Sequence, residues 1–300
     1  MIDKPGLRPQ EAVGHTLRAI ARHILSEARV AIEDRQRVEA VAVHDFRAAM
    51  KSWRAFLRLI EPHLQDEDRR WRAEARDMAR LLAGARDAQA ALDAVDDAER
   101  HTASHRLSTQ TWESIRGKLE TLRASAEIAS LTPALRSRFS AALDRADARL
   151  ERWPLDELSF SDVAEGLGEG YRRARSVLPD DWRTASPQEL HELRQRVVVH
   201  RYQMEVVEPL WPRLGRGWVR EAQRIRTRLG SYQDLAVLAR YAEPHQPLAP
   251  WRSRLQSAIR QRQAQQVISA RRIAARLFAE RPKAFRKRLQ AMWDGIASSH

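Results

Sequence analysis

Cationic side chains recur at helical spacing in one segment, residues 43–62, which reads VHDFRAAMKSWRAFLRLIEP. The spacings are +3, +4, +3 and +4, and the side chains are His44, Arg47, Lys51, Arg54 and Arg58. Side chains at these spacings share one face of an α-helix and extend along roughly 20 Å of it. Because like charges in one row repel each other, this row, the first stripe, favours an extended polyanion as its binding partner.

An apolar row with the same period runs beside the first stripe. Each cation is preceded by an apolar residue, and these residues are Val43, Phe46, Met50, Trp53 and Leu57. Apolar residues at a helical period form the face that packs into a protein core. We therefore expect a helix on which the first stripe borders the buried face.

A second stripe follows 147 residues later, where residues 190–209 read LHELRQRVVVHRYQMEVVEP. This shift aligns His191, Arg194 and Arg201 with the first, second and fourth cations of the first stripe, and it repeats the terminal Glu-Pro pair. The same shift aligns Trp71 with Trp218. Two Arg-rich and Leu-rich helices share some letters by chance, but matches that include Trp, His and Glu-Pro favour an internal duplication. Just before the second stripe, Ser186-Pro187-Gln188-Glu189 predicts a capped helix start.

The composition limits the class of protein and of partner. A chain of 300 residues with 43% hydrophobic content can bury a large core, and the net charge of +13 indicates a polyanionic partner. Nucleic acid, inorganic polyphosphate and an anionic membrane surface all fit that charge. The absence of cysteine removes disulfides and thiolate metal sites, and we expect a cytoplasmic protein. No apolar run is long enough for a signal peptide or a membrane span, so we expect no membrane insertion.

The remaining sequence predicts an all-α fold. Almost every segment is rich in Ala, Leu, Arg, Glu and Gln at a period near 3.6, and alternating runs of β-branched residues are nearly absent. Prolines and polar loops divide each repeat into about four helices. The segment around Trp153-Pro154 separates the halves, which predicts one repeat over residues 1–152 and another over 153–300.

Metal-dependent hydrolysis of phosphate esters and stacking on nucleobases are two alternatives to simple polyanion binding. The pair His44-Asp45 is typical of metal-dependent phosphohydrolases of the HD type, but its counterpart is His191-Glu192 and the other histidines lack ligand spacing. No nucleotide-binding loop or catalytic motif occurs, so we predict no catalytic residues, no metal site and no cofactor.

Tryptophans could stack on nucleobases, although core packing is favoured for Trp53, Trp71, Trp211 and Trp218.

These residues resemble the CHAD family, the conserved histidine α-helical domain, whose members bind inorganic polyphosphate. The likeness rests on V-H-x-x-R-x-x-x-K-x-x-R-x-x-x-R at 43–58 and L-x-x-x-R-D at 82–87. It also rests on L-H-x-L-R-x-R at 190–196, R-Y at 201–202 and L-G-x-x-x-D at 229–234. The resemblance covers both halves and implies one CHAD domain overall, made of two four-helix bundles with a basic groove or pore between them.

The resemblance also implies the site. The expected polyphosphate contacts are His44, Arg47, Lys51, Arg54 and Arg58 in the first copy and His191, Arg194, Arg196, Arg201 and Tyr202 in the second. Further candidates for the groove are Arg18, Arg22, Arg76, Arg80, Arg172, Arg175, Arg224 and Arg228. Two positions depart from the pattern, because Val198 replaces a cation and Glu205 stands opposite Arg58. The second stripe is therefore expected to be less positive than the first.

The sequence thus predicts a non-catalytic protein that binds inorganic polyphosphate and associates with polyphosphate granules. Granule association follows from the family resemblance alone. A nucleic-acid-binding helical protein is the main alternative, since the charge fits, but no base-reading motif occurs and the stripes suit a narrow chain. An HD-like metal-dependent phosphohydrolase is the other alternative.

Overall fold

A computed structural model describes residues 4–64, 67–82, 86–101, 107–125 and 131–298 of the chain. These residues form eleven α-helices and no β-strand, which confirms the predicted all-α fold. In the motif at 82–87, residues 83–85 and the side chain of Arg86 lie outside the described part. None of the described helices combines the length and the apolar composition that crossing a bilayer requires.

The helices follow one another with short connections. They are α1 (Val13–Glu33), α2 (Glu39–Leu59), α3 (Glu67–Leu81), α4 (Arg86–His101), α5 (Thr109–Ser125), α6 (Pro133–Leu150), α7 (Phe160–Arg175), α8 (Pro187–Val206), α9 (Pro212–Tyr241), α10 (Arg252–Leu277) and α11 (Pro282–Ala297). Single 3-10 turns lie at Glu61–His63, Leu155–Glu157, Glu208–Leu210 and Ala249–Trp251. The first stripe lies on α2 and the second on α8.

Local sequence signals account for the two stripe helices. The hydroxyl of Ser186 accepts a hydrogen bond from the backbone N–H of Glu189, whose side chain accepts from the backbone of Ser186, so the predicted capping box starts α8. Helix α2 begins at Glu39 and has no side-chain cap. Its stability therefore comes from its apolar row, because Phe46, Met50, Trp53 and Leu57 are at most 2% exposed.

The helices group into two four-helix sets and a smaller third cluster. Helices α1, α2, α3 and α6 pack in the first half, and α7, α8, α9 and α11 pack in the second. The main buried core takes residues from both sets, and α2 packs directly on α8. A separate core joins α4 and α5 to the second half of α9 and the first half of α10.

The order of elements recurs along the chain. The turns at Glu61–His63 and Glu208–Leu210 are 147 residues apart, as are the first residues of α1 and α7. The internal duplication and the boundary at 153 stay predictions. Packing does not stop at that boundary, because Arg262 of α10 donates two hydrogen bonds of 2.7 Å to Asp97 of α4.

Candidate functional site

Helices α2, α8 and α9, with part of α4, border a groove of about 730 Å³. Both stripes contribute side chains to its wall, and the predicted residues that line it are His44, Arg47, Lys51, Arg194, Arg201 and Tyr202. Val198 also lines the groove and is partly exposed, so the position that lacks a cation faces the site. The structure thus brings six of the ten expected contacts to one surface.

On the α2 side, the three groove cations have different environments. His44 is exposed and Lys51 is half-buried. Arg47 donates hydrogen bonds from Nη1 to the carbonyl oxygens of Ala79 at 3.0 Å and Leu82 at 2.8 Å. These carbonyls end α3, where a cation is stabilising, so Arg47 fixes the packing of α3 as well as lining the groove.

On the α8 side, Arg201 is held in place by its neighbours. It donates to Glu205 at 2.5 Å, and its guanidinium carbon lies 3.9 Å from the centre of the Tyr202 ring. Lys4, near the N-terminus, also pairs with Glu205 at 2.6 Å. Burial raises the pKa of Tyr202, so its phenol stays protonated and is a possible hydrogen-bond donor to an anion.

The histidine of the second stripe lies outside the groove lining. The side-chain amide nitrogens of Gln195 and Gln233 lie 2.6 Å and 2.7 Å from the two ring nitrogens of His191. Gln233 also accepts a hydrogen bond of 3.1 Å from Arg194 Nη1. Gln233 therefore links His191 to the groove cation Arg194 and helps to hold the Arg194 guanidinium in place.

The end of the first stripe forms an arginine cluster beside the groove, made of Arg54, Arg58, Arg72, Arg76 and Arg80. Burial, followed by repulsion from the three α3 arginines, lowers the pKa of Arg54. Burial and neighbouring cations lower the pKa of Arg58 to about 10. Within the described residues, Arg54 Nε is buried without a hydrogen-bond partner. Such crowding of guanidinium groups disfavours their charge and favours a bound anion.

Arg196 lies close to Arg58 but on a different surface from the groove. Together with Arg173 and Gln203, these two arginines line a separate small cavity. Arg196 donates to Glu192 at 3.0 Å, and Arg173 donates to Glu61 at 3.2 Å. Two cations of the second stripe, Arg196 and Arg201, are thus each paired with a glutamate on α8.

Most of the further candidates are engaged elsewhere. None of these eight side chains lines the groove, and two of them, Arg76 and Arg80, belong to the arginine cluster. The other six interact elsewhere. Their partners are Asp156 for Arg18, Glu151 for Arg22, Glu169 for Arg172, the carbonyl of Phe278 for Arg175, Glu221 for Arg224 and Gln266 for Arg228. Sequence reasoning missed Arg226, which lines the groove on α9. The predicted duplication did not indicate Arg226, because the residue aligned with it in the first half is Ala79.

The tryptophans that were considered as stacking platforms differ in burial. Trp53 and Trp71 are 2% and 9% exposed, and Trp218 packs against Phe285. Trp211, the residue before α9, is 53% exposed, so the sequence-based expectation of core packing is wrong for this residue.

The pair His44-Asp45 has no metal-binding arrangement around it. Asp45 accepts a hydrogen bond of 2.9 Å from Arg37, whereas His44 faces the groove. Across the described part of the chain, no group of three or more His, Cys, Asp or Glu could hold a metal ion. The absence of a metal role stays a prediction.

We expect Arg54→Gln to stabilise the fold. Removing a partly buried charge, whose Nε lacks a hydrogen-bond partner, from a cluster of cations raises the free energy of unfolding by about 1 kcal/mol. Chemical denaturation measures the gain.

Arg80→Gln is the matched control, because Arg80 is in the same cluster but its side chain is 70% exposed. It should change the free energy of unfolding little. A loss of stability in Arg54→Gln would show that Arg54 has a structural partner and is not held there for a ligand.

The fold and the groove define a class of protein, the all-helical domains in which two cationic helices pack together along an open groove. The chain belongs to the CHAD domain family, whose model matches residues 15–243. The crystal structure of the CHAD domain from the plant Ricinus communis is similar, with a TM-score of 0.62 and 19% identity, over 93% of this chain and 96% of that one. That likeness shows the fold. No curated protein matches the chain.

Proposed function

We propose that the protein binds inorganic polyphosphate in the groove without catalysing a reaction. The observation that supports this most is the convergence of cations from α2, α8 and α9 on one open groove, chiefly Lys51, Arg194 and Arg226. A polyphosphate chain carries a negative charge at each unit and nothing between the charges. Cations on several walls can contact its oxygens along its length.

The tyrosine of the groove favours a ligand without bases. Among the described residues that line the groove there is no Trp or Phe; Tyr202 has its ring covered by the guanidinium of Arg201, and the other ring is the imidazole of His44. A nucleobase needs an open aromatic face on which to stack. Polyphosphate needs only the cation and the phenol, so it fits this wall better than nucleic acid does.

Two of the three described carboxylates that line the groove, those of Glu39 and Asp93, are engaged in hydrogen bonds, which supports a non-catalytic role. Glu39 accepts a hydrogen bond of 2.6 Å from the backbone N–H of Leu131, and Asp93 accepts one of 2.8 Å from Gln89. A hydrolase would need a carboxylate or a histidine oriented to activate water, and the carboxylate next to the groove histidine His44, that of Asp45, is paired with Arg37. Under this proposal, incubation with polyphosphate and Mg²⁺ or Mn²⁺ releases no orthophosphate, whereas an HD-type phosphohydrolase would release it.

Binding polyphosphate would direct the protein to polyphosphate granules in the cytoplasm. The partners under this proposal are the polymer and the granule surface that presents it, and no cofactor is needed. The net charge of +13 speeds association with such a surface and makes it sensitive to salt. Co-sedimentation with granules should therefore fall as ionic strength rises.

We expect Val198→Lys to strengthen polyphosphate binding severalfold. Position 198 lines the groove and is partly exposed, so a lysine there can place its ammonium group among the other cations. One added phosphate contact steepens the salt dependence by about one ion. Titration at several salt concentrations measures both quantities.

Ile268→Lys is the matched control, since Ile268 is 50% exposed on α10 and the charge change is the same. It should leave the affinity nearly unchanged. Equal effects of the two lysines would assign binding to net charge and would contradict the groove.

A further inference from the structure

The segment before α1 packs against the end of α8. The backbone N–H of Leu7 donates a hydrogen bond of 2.8 Å to the carbonyl oxygen of Val206, and the side chain of Leu7 is fully buried. Gly6 lies so close to the next turn that an added Cβ would come within 2.6 Å of Pro209 Cγ. These contacts hold the segment that carries Lys4 against this end of α8.

Glu205 of α8 connects this segment to a cation of the groove. Its Oε1 accepts a hydrogen bond of 2.5 Å from Arg201 Nη1, and its Oε2 lies 2.6 Å from Lys4 Nζ. The side chains of Glu205 and Arg201 are 14% and 17% exposed, whereas that of Lys4 is 49% exposed. Arg201 lines the groove, but Glu205 and Lys4 do not. One carboxylate is thus shared between a groove cation and a cation outside the groove.

An anion in the groove competes with Glu205 for Arg201. A guanidinium group that is paired with a carboxylate attracts a phosphate less than an unpaired one does. Breaking the pair leaves a largely buried carboxylate, and a buried charge without a partner is costly. Lys4 lowers this cost, because it stays paired with the other oxygen of Glu205. The ring of Tyr202, 3.9 Å from the guanidinium carbon of Arg201, keeps that group at the groove wall while its partner changes.

We propose that Lys4 and Glu205 determine how much of the positive charge of Arg201 is offered to polyphosphate. Glu205 restrains Arg201, and Lys4 offsets Glu205. The inference rests on the proposed function of the groove and assigns positioning roles to two residues outside it. Lys4 acts through Glu205 and does not contact the ligand, so the effect of changing Lys4 depends on whether residue 205 is charged.

A double-mutant cycle tests this dependence, with polyphosphate titrated at one ionic strength and pH. Glu205→Gln should bind about tenfold more tightly than wild type, because Arg201 keeps a hydrogen-bond acceptor but loses its counter-ion. Lys4→Gln should bind about threefold more weakly, because the whole charge of Glu205 then falls on Arg201. In the Glu205→Gln background the same change at Lys4 should have almost no effect. Lys4→Arg, which keeps the charge, should bind as wild type does.

Lys283→Gln is the matched control for Lys4→Gln, since Lys283 is exposed on α11, outside the groove lining, and loses the same charge. It should change the affinity equally little in both backgrounds. An equal loss from Lys4→Gln in both backgrounds would assign its effect to net charge and overturn the proposal, as would a Glu205→Gln protein that binds no more tightly than wild type. Wild-type protein that binds no polyphosphate would contradict the proposed function itself, so the two failures are distinct.

Discussion

Replacing Lys51 and Arg226 together by glutamate is expected to weaken polyphosphate binding about a hundredfold. The two residues line the groove on α2 and α9, and each reversal removes a cation and adds a charge that repels the ligand. The slope of affinity against salt should fall as well, because fewer counterions are released. This pair is preferable to Arg47, whose hydrogen bonds to the end of α3 would be lost too.

Arg271→Glu/Arg272→Glu is the matched control for that reversal. Both residues are exposed on α10, outside the groove lining, and the change in net charge is the same. Titration with polyphosphate at one ionic strength should show only a small loss. If the two double variants weaken binding equally, overall charge attracts the polymer and the groove is not its site.

Lowering the pH from 7 to 5 is expected to reduce the free energy of unfolding by about 2 kcal/mol through His200 alone. This histidine is 0% exposed, and its Nε2 accepts a hydrogen bond of 3.2 Å from Trp218 Nε1. Burial lowers the pKa of His200 from 6.5 to about 3. The folded protein therefore keeps the ring neutral where the unfolded chain is protonated.

The difference in pKa between the folded and unfolded states determines that the free energy of unfolding falls as the pH is lowered. Above pH 6.5 both states hold a neutral His200 and the full stability is present, and below it only the unfolded chain gains a proton. Stability is lost progressively as the pH falls toward the folded-state value. Each pH unit costs about 1.4 kcal/mol, so the interval from 6.5 to 5 gives about 2 kcal/mol.

His200→Gln isolates the contribution, because glutamine keeps an acceptor for Trp218 and does not titrate. Chemical denaturation of both proteins at pH 7 and pH 5 gives two losses of stability, and the loss in wild type should be the larger by about 2 kcal/mol. Equal losses would mean that His200 is protonated in the folded state or that water reaches it.

The helical period in the sequence predicted the features that depend on residues close together in the chain, namely which side chains share a helix face. It placed Phe46 and Trp53 in the core and His44 and Lys51 beside it, because a helix brings residues three and four apart to one face. The start of α8 was predictable for the same reason, since its capping box lies within four residues.

Contacts between distant segments set the rest of the site. Glu205 was expected only to reduce the charge of the second stripe, yet it pairs with both Arg201 and Lys4, 201 residues away in sequence. His191 repeats His44 in sequence, but Gln233 of α9 contacts its ring and it does not line the groove. Helical periodicity carries no information about which side chain of another helix will lie opposite.

The resemblance to the CHAD family is the reason for proposing polyphosphate as the ligand. Helical periodicity alone does not distinguish one polyanion from another. A row of arginines predicts a polyanion, and polyphosphate, nucleic acid and an anionic surface all meet that description. The proposal of polyphosphate rests in addition on the arginine that covers the ring of Tyr202 in the groove.

The most direct test is a competition in the groove between polyphosphate and single-stranded DNA of equal total charge at one ionic strength. Labelled polyphosphate is bound first, and each unlabelled polymer is added in turn to wild type and to Lys51→Glu/Arg226→Glu protein. We predict that polyphosphate displaces the label from wild type at far lower concentration than DNA does, and that the variant holds little label. Equal displacement by DNA, or retention of the label by the variant, would contradict polyphosphate binding in the groove.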